Sequence, residues 1–182
     1  IGCGLDSRCI RINMPYAVWI DGDFPDVISI RKKYYNESEC YHMISFDASD
    51  PENVYDLPDR KIAIVILEGI SMYLSNEQLN TFFRALAKKY SSLHILMDVY
   101  TIFAARASKF KNPINDVGVT KVCGIDNIGN ILSGTDIIYK KKHSLTPKRL
   151  VKKLKTYEQI FFKVVFNNSL YEKFYRLYEF EK

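Results

Sequence analysis

Two glycines and a series of carboxylates are the residues of this sequence that could do chemistry. The glycines stand in Gly2-Cys3-Gly4, and acidic side chains follow apolar segments at Asp21 with Asp23, at Asp47 and at Glu68. Carboxylates accept hydrogen bonds from ribose hydroxyls, exocyclic amines and ammonium groups, whereas they repel phosphates. Glycines let the backbone approach a ligand closely. The set therefore suits a nucleoside with an amino-acid tail, and the sequence lacks the GxxxxGK[ST] motif of P-loop proteins.

Four short apolar segments precede acidic residues and predict strands. They comprise residues 17–20, 43–46, 62–67 and 93–97. The third is a run of mostly branched residues, which is typical of a strand buried on both faces of a parallel sheet. Ligands of open α/β sheets bind at the carboxyl ends of the strands. We therefore expect one rim lined by the carboxylates at which the strands end: Asp21, Asp47, Glu68 and Asp98.

Helical patterns lie between the apolar segments. Ser75 to Tyr90 predicts a helix with Ser75 as its N-cap, a capping box completed by Gln78, and an apolar face. A shorter helix is predicted over 26–35, started by Pro25. Because strands and helices alternate, the sequence predicts an α/β fold with a doubly wound, mostly parallel sheet.

The second half of the chain does not continue the alternation of predicted strands and helices. Residues 101–134 predict an irregular insertion, which we expect to cover the cofactor cleft or border the substrate pocket. Residues 135–143 predict a strand, and 146–165 a helix that begins at Thr146-Pro147. A last strand over 171–180 is expected to run antiparallel to the strand over 135–143. We see no internal repeat or linker, and expect a single domain over 1–182.

Composition narrows the class of protein. The chain has 182 residues, 47% of them apolar, which is enough for the core of one domain. Its net charge of +5 is mildly basic, and the lysine-rich stretch 140–155 is most simply a solvated face, so no nucleic-acid partner is expected. The four cysteines form no CxxC pair, which favours free thiols in a reducing, cytoplasmic setting. No apolar run approaches the roughly 20 residues that span a bilayer, and neither a membrane nor a metal site is expected.

Four segments carry a resemblance to a known family. Residues 1–8 (IGCGLDSR) resemble the family phrase GxGLDTR, and residues 19–27 (WIDGDFPDV) resemble (Y/F)EVDxPxV. Residues 46–50 (FDASD) resemble xDLRD, and residues 67–74 (LEGISMYL) are similar to xEGvlmYL. The segments occur in the family's order over the first half of the chain. The sequence thus resembles the leucine carboxyl methyltransferase family, which includes polyketide carboxyl O-methyltransferases.

The resemblance implies a class I methyltransferase, with a Rossmann-like sheet that binds S-adenosylmethionine. The expected reaction is methyl transfer to a carboxylate or a hydroxyl of a small molecule. Residue by residue, the resemblance implies the methionine part at Gly2 and Gly4, the ribose at Asp23 and Asp21, the adenine at Asp47 and Ala48, and the ammonium or sulfonium near Glu68.

The sequence departs from the family in two places. Members have glutamate where Asp21 stands and Leu-Arg in place of Ala48-Ser49. A carboxylate acceptor is ionised at neutral pH, so we name no catalytic base.

Several interpretations stay open at the level of sequence. The acceptor could instead be a protein C-terminus, or the domain could bind cofactor without catalysis and serve an interaction. A NAD-binding domain is disfavoured because Ser7 stands where the third glycine of its fingerprint belongs. Almost no strand precedes Gly2, so we expect the N-terminal part of a longer protein to be missing. Family members carry basic cofactor contacts there, and we therefore expect this chain alone to bind the cofactor weakly or not at all.

Overall fold

The computed structural model describes residues 1–12, 17–107, 122–166 and 171–182. Its strands are β1 (Trp19–Asp23), β2 (Tyr41–Ser45), β3 (Ile62–Leu67), β4 (Ser92–Tyr100), β5 (Ile138–His143) and β6 (Tyr175–Glu181). Its α-helices are α1 (Arg8–Arg11), α2 (Pro25–Arg31), α3 (Asn76–Lys89), α4 (Ile102–Ala107), α5 (Ile128–Leu132), α6 (Lys148–Val151) and α7 (Thr156–Phe166). Short 3-10 helices occupy Pro51–Asp56, Ser71–Tyr73 and Tyr171–Lys173. Residues 108–121 of the predicted insertion lie outside the described residues.

The strands form two sheets. One pairs β1 with β2 in parallel, and the other has the order β3-β4-β6-β5. Within the second sheet β3 and β4 are parallel, whereas β6 runs antiparallel to both β4 and β5. The predicted α/β fold with a mostly parallel sheet and an antiparallel C-terminal strand is confirmed. Helix α2 connects β1 to β2, and α3 connects β3 to β4.

The first two residues of the chain lie between the two sheets. The Ile1 amino group donates to the carbonyl of Ile66 at 2.9 Å, and the Gly2 N–H donates to the carbonyl of Gly22 at 2.8 Å. Both acceptors stand near the carboxyl ends of parallel strands. These two bonds therefore bring the carboxyl ends of β1 and β3 to the same edge of the molecule.

Strand β3 is less buried than its sequence predicts. Ile62 is 67% exposed and Ile64 is 59% exposed, although Val65 and Leu67 are buried. The prediction of burial on both faces is therefore wrong for the face that carries Ile62 and Ile64. The physical reason is that the core lies against one face of the strand: Val65 and Leu67 share that face and pack into the core with α3, whereas Ile62 and Ile64 share the opposite face.

Helix α3 forms the centre of the core. Its start agrees with the predicted capping box, because the Ser75 hydroxyl accepts the Gln78 N–H at 3.1 Å and the Gln78 side chain accepts the Ser75 N–H at 2.8 Å. Phe83 is fully buried and meets Phe180 of β6 edge to face, with ring centroids 5.6 Å apart. The helix thereby fixes the sheet whose strands β3 and β4 lead to the candidate site.

The lysine-rich part of the chain differs from its prediction in one respect. The single helix predicted over 146–165 is two helices, α6 and α7, separated by residues 152–155. Lys152, Lys153 and Lys155 lie between the two helices, and like charges close together destabilise a helix. The side chains of 140–142 pair with glutamates of the C-terminal segment, which agrees with a solvated face. None of the helices in the described ranges has the length and apolar character needed to cross a bilayer.

Candidate functional site

The turn over residues 2–6, called the glycine turn below, needs its two glycines for different reasons. Gly2 has a φ of 70°, and a Cβ there would stand 2.1 Å from Cγ2 of Ile70. Gly4 has a φ of 49°, and a Cβ there would meet nothing within 4 Å. Both φ angles lie in the left-handed region that favours glycine. Gly2 therefore packs the turn against Ile70, whereas Gly4 leaves an open side from which a ligand can approach.

Asp23 joins the end of β1 to the glycine turn. Its Oδ2 accepts the Gly4 N–H at 2.8 Å, and its Oδ1 accepts the Phe24 N–H at 2.8 Å. A carboxylate oxygen has two lone-pair sites, so each oxygen can accept a further donor. Since β1 runs on to Asp23 instead of ending at Asp21, it is Asp23 that stands at the rim.

Asp21 has a different environment. It is buried, and its carboxylate accepts the Tyr41 hydroxyl at 2.8 Å, the Trp19 Nε1–H at 2.8 Å and an Arg31 N–H. With three donors from its own chain, this side chain has its hydrogen-bonding capacity largely used inside the protein. The geometry favours a structural role for Asp21 over the ribose contact that the resemblance implies.

Arg31 is a residue of the site that the sequence analysis missed. Its side chain is fully buried, and it donates to the carbonyl of Gly4 at 2.9 Å and to the carbonyl of Asp6 at 2.8 Å. The residue lies three positions after the buried Ile28 on α2. A cation at an apolar position of a helix face was the available signal, because a buried charge requires partners.

Glu68 follows β3 and faces solvent. Its side chain is 61% exposed, and Arg8 of α1 forms an ion pair with it. The same Arg8 donates to Asp6 at 3.1 Å, and the bond to Glu68 is the largest influence that raises the pKa of Arg8. Gly69 comes next, with a φ of 73° and open space where a Cβ would be. One cation and one anion therefore stand side by side next to the glycine turn.

Asp98 stabilises the corner that follows Glu68. It is 2% exposed, and its Oδ2 accepts both the Gly69 N–H, at 2.7 Å, and the Tyr175 hydroxyl. Burial raises the pKa of Asp98 and that of Tyr175. Oδ1 of Asp98 has no hydrogen-bond partner among the described residues. This carboxylate fixes the backbone at Gly69 and thus the position of its neighbour Glu68.

Asp47 and Ala48 follow β2 at the same edge. The Phe46 N–H donates to the carbonyl of Asp23 at 2.8 Å, which places Asp47 next to the end of β1. Oδ1 of Asp47 accepts the Ser49 N–H at 2.8 Å, and Ala48 is buried. The structure therefore brings most of the sequence-predicted site residues to one edge: Gly2, Gly4, Asp23, Asp47, Ala48 and Glu68.

The end of the insertion reaches this edge as well. The Cys123 N–H donates to the carbonyl of Met72 at 2.7 Å, and the Ile125 N–H donates to the carbonyl of Tyr100 at 2.8 Å. These contacts place residues 122–125 beside the segment that follows Glu68 and beside the end of β4. An open cavity of about 630 Å³ lies elsewhere, with Tyr55, Arg84 and Lys182 in its lining, and it includes none of the predicted site residues.

Two curated proteins are similar to this chain in sequence. The first is the tetracenomycin polyketide synthesis O-methyltransferase TcmP of Streptomyces glaucescens, 30% identical over 128 residues, which are 70% of this chain and 47% of that protein. The second is the S-adenosyl-L-methionine-dependent methyltransferase dpfgK of Gibberella zeae, 26% identical over 98 residues, 50% of this chain and 33% of that protein. The matches thus span half or less of these relatives' own length. No protein-family model matches the chain.

A solved structure has the same fold. Magnesium protoporphyrin IX methyltransferase (ChlM) from Synechocystis PCC 6803, with bound SAH, superposes on this chain with a TM-score of 0.56. The superposition covers 100% of this chain and 71% of the ChlM chain. The sequence identity is 11%, so the likeness concerns the fold alone. It confirms the predicted class I, Rossmann-like methyltransferase fold.

Proposed function

Because this chain belongs to the S-adenosylmethionine-dependent methyltransferases, a family that includes polyketide O-methyltransferases, we propose that the protein methylates a small molecule on oxygen. The observation that carries the proposal is the arrangement at one edge of the sheet. Gly4 leaves an open face, Asp23 holds its N–H, and the exposed Glu68 stands on the other side of the turn. This arrangement supports a ligand that is a nucleoside at one end and a cationic amino acid at the other.

The described residues fit S-adenosylmethionine group by group. Asp23 would accept the ribose hydroxyls with the lone pairs that Gly4 and Phe24 leave free. Asp47 and Ala48 would flank the adenine, since they follow the neighbouring strand. Glu68 would face the ammonium group, and Gly2 and Gly4 would admit the methionine chain. Asp21 stays outside this set because its donors come from the protein.

Charge balance adds Arg8 to the site. The amino-acid end of the ligand carries a carboxylate, which Asp23 and Glu68 would repel. Arg8 pairs with Glu68 and is the cation nearest to that position within the contacts described above. Because Arg8 can pair with the carboxylate of the ligand, we expect this chain to bind the cofactor weakly.

The chemistry would come from the cofactor, which supplies a methyl group on a sulfonium when it is bound. The residues of the chain would orient it and exclude alternative geometries. A carboxylate acceptor is already a nucleophile at neutral pH and requires no base. The described parts of the insertion, residues 101–107 and 122–134, would border the acceptor, because residues 122–125 lie beside the segment after Glu68 and the end of β4.

The acceptor group can be identified from the product. The protein is incubated with S-adenosylmethionine labelled on its methyl group and with three acceptors: an aromatic carboxylate, a phenol and a peptide that ends in leucine. A methyl ester releases labelled methanol in alkali, whereas a methyl ether does not. We expect label in an alkali-labile product of the aromatic carboxylate, or in a stable product of the phenol.

Other outcomes separate the alternatives. Label in the peptide would show a protein C-terminus as the acceptor. Binding of S-adenosylhomocysteine without transfer to any acceptor in an extended panel of carboxylates, phenols and peptides would favour a non-catalytic interaction domain. Binding of NADH, with no binding of S-adenosylhomocysteine, would contradict the proposal.

A further inference from the structure

We infer that Arg31 and Tyr35 form a clamp that holds the glycine turn in its ligand-binding shape and sets the affinity of the site. The inference rests on the proposed function, since it concerns the cofactor site. Three consecutive carbonyls of the turn accept hydrogen bonds from this pair. Arg31 donates to Gly4 at 2.9 Å and to Asp6 at 2.8 Å, and the Tyr35 hydroxyl donates to Leu5 at 3.0 Å.

The two clamp residues also hold each other. Arg31 is the last residue of α2 and Tyr35 lies four positions later, beyond the helix, and the Arg31 guanidinium lies 4.3 Å from the centroid of the Tyr35 ring. A guanidinium over an aromatic face is attracted by the ring. The carboxylate of Asp21 forms an ion pair with the buried guanidinium. Arg31 is therefore fixed by its surroundings before it contacts the turn.

Arginine has a geometry that this position requires. Its planar fork presents five N–H donors, and here they reach two carbonyls, the Tyr41 hydroxyl and the Asp21 carboxylate together. Lysine keeps the charge but has a single ammonium group at the end of a flexible stem. Replacement by lysine therefore separates the charge of Arg31 from the geometry of its hydrogen bonds.

The clamp matters because it adds the hydrogen bonds to the Gly4, Leu5 and Asp6 carbonyls to those that already hold the N–H groups of Gly2 and Gly4. Two of its first three residues are glycines, which lose more conformational freedom on ordering than any other residue. An ordered turn does not pay this entropy when a ligand binds, so preorganisation raises affinity. With three carbonyls held by the clamp, the Gly4 N–H is held from the other side by Asp23. Arg31 and Tyr35 are thus positioning residues that act through the turn.

The test compares the unaltered chain with four variants, each of which carries one substitution. Arg31→Lys and Tyr35→Phe weaken the clamp, and Tyr35→Phe is the milder change because it keeps the ring. Ile28→Ala removes a buried side chain from the same face of α2 and serves as the stability control. Tyr34→Phe alters a neighbouring hydroxyl on a side chain that is 71% exposed. Affinity for S-adenosylhomocysteine is measured by titration at a temperature where circular dichroism shows each variant folded.

We expect Arg31→Lys to weaken binding by about tenfold or more, and Tyr35→Phe by about two- to fivefold. Ile28→Ala and Tyr34→Phe are expected to bind within about twofold of the unaltered chain, although Ile28→Ala melts at a lower temperature. Equal affinity of Arg31→Lys and the unaltered chain would overturn the inference. An effect of Ile28→Ala as large as that of Arg31→Lys would also overturn it.

A second readout keeps the inference testable if the chain binds no S-adenosylhomocysteine, a result that would count against the proposed function. Hydrogen exchange of the Gly4 amide reports the order of the turn without any ligand. We expect this amide to exchange about tenfold faster in Arg31→Lys than in Ile28→Ala. Equal exchange in these two variants would overturn the clamp whatever the ligand of the site is.

Discussion

Asp98, two residues before the end of β4, accepts a 2.7 Å hydrogen bond at its Oδ2 from the N–H of Gly69, which lies two residues beyond β3. The bond links two neighbouring strands at the rim that carries Glu68. Asp98 is almost fully buried, and its second oxygen is unpartnered within the described ranges. The backbone next to Glu68 is therefore held by the buried side chain of Asp98.

A pH dependence follows from this burial, because it raises the pKa of Asp98 above that of the unfolded chain. Between those two pKa values the folded state holds a proton that the unfolded state has released, so stability falls as pH rises through that window. The amide side chain in the Asp98→Asn variant cannot ionise. We therefore expect the melting temperature of the variant, minus that of the unaltered chain, to increase as the pH rises from 4. Melting curves from pH 4 to 8 measure the effect, with the exposed Asp26→Asn as control. A difference that is constant over this range would contradict the account.

The two glycines of the turn give a matched pair of substitutions. Gly4→Ala places a side chain at a positive φ without a clash, and we expect it to cost about 1–2 kcal/mol of unfolding free energy. Gly2→Ala adds a clash with Ile70, and we expect a further loss of about 1–3 kcal/mol. Denaturant titration measures both. Ile70→Ala is expected to recover part of the loss in Gly2→Ala and none of the loss in Gly4→Ala.

Asp21 and Asp23 are expected to behave differently, although only Gly22 lies between them. Asp21→Ala leaves the Arg31 charge buried without its acidic partner, and we expect a loss of about 3–5 kcal/mol in unfolding free energy. Asp23→Asn keeps one acceptor oxygen for the Gly4 and Phe24 N–H groups and removes the other, so we expect a smaller loss of stability than in Asp21→Ala, together with weaker S-adenosylhomocysteine binding. Denaturant titration and calorimetric titration of both variants make the comparison. Equal stability of Asp21→Ala and the unaltered chain would remove the structural role assigned to Asp21.

Glu68→Gln tests the site assigned to the ammonium group. The substitution removes the negative charge and keeps the size of the side chain, and we expect about a tenfold to hundredfold loss of affinity for S-adenosylhomocysteine. Glu77→Gln, in the first turn of α3, is the control for loss of one surface charge. If both variants bind as the unaltered chain does, Glu68 lies outside the site.

The sequence signals for this rim are local, and two of the four carboxylates expected to line it, Asp21 and Asp98, are instead buried within β1 and β4, which both continue past them. A capping box, alternating apolar segments and a glycine pair all act within a few residues, and α3, β3 and the glycine turn follow from them. What covers each face of a strand is a long-range property, and this explains the exposed face of β3 that carries Ile62 and Ile64. The periodicity of Ile62 and Ile64 predicts a buried strand but does not reveal which neighbours cover it.

The role of Arg31 could not be derived in this way. Its partners in the glycine turn are 25 and 27 residues away, and no local pattern links a helix face to those carbonyls. The same limit applies to Asp21 and Asp23, which lie two positions apart and therefore on the same face of β1, so that no local pattern separates them. Burial distinguishes the two carboxylates, and burial depends on the packing of α2 and β2.

The central claim is that the glycine turn and Glu68 bind the amino-acid and nucleoside parts of S-adenosylmethionine, and titration of the isotope-labelled chain followed by NMR tests it most directly. Amide signals are recorded while S-adenosylhomocysteine is added to millimolar concentration, and separately while NADH is added. The account predicts weak, saturable shifts centred on Gly2, Gly4, Asp23, Glu68 and Gly69 with S-adenosylhomocysteine, and no such shifts with NADH. Shifts centred away from these residues, equal shifts with both ligands, or no shifts with S-adenosylhomocysteine would contradict it.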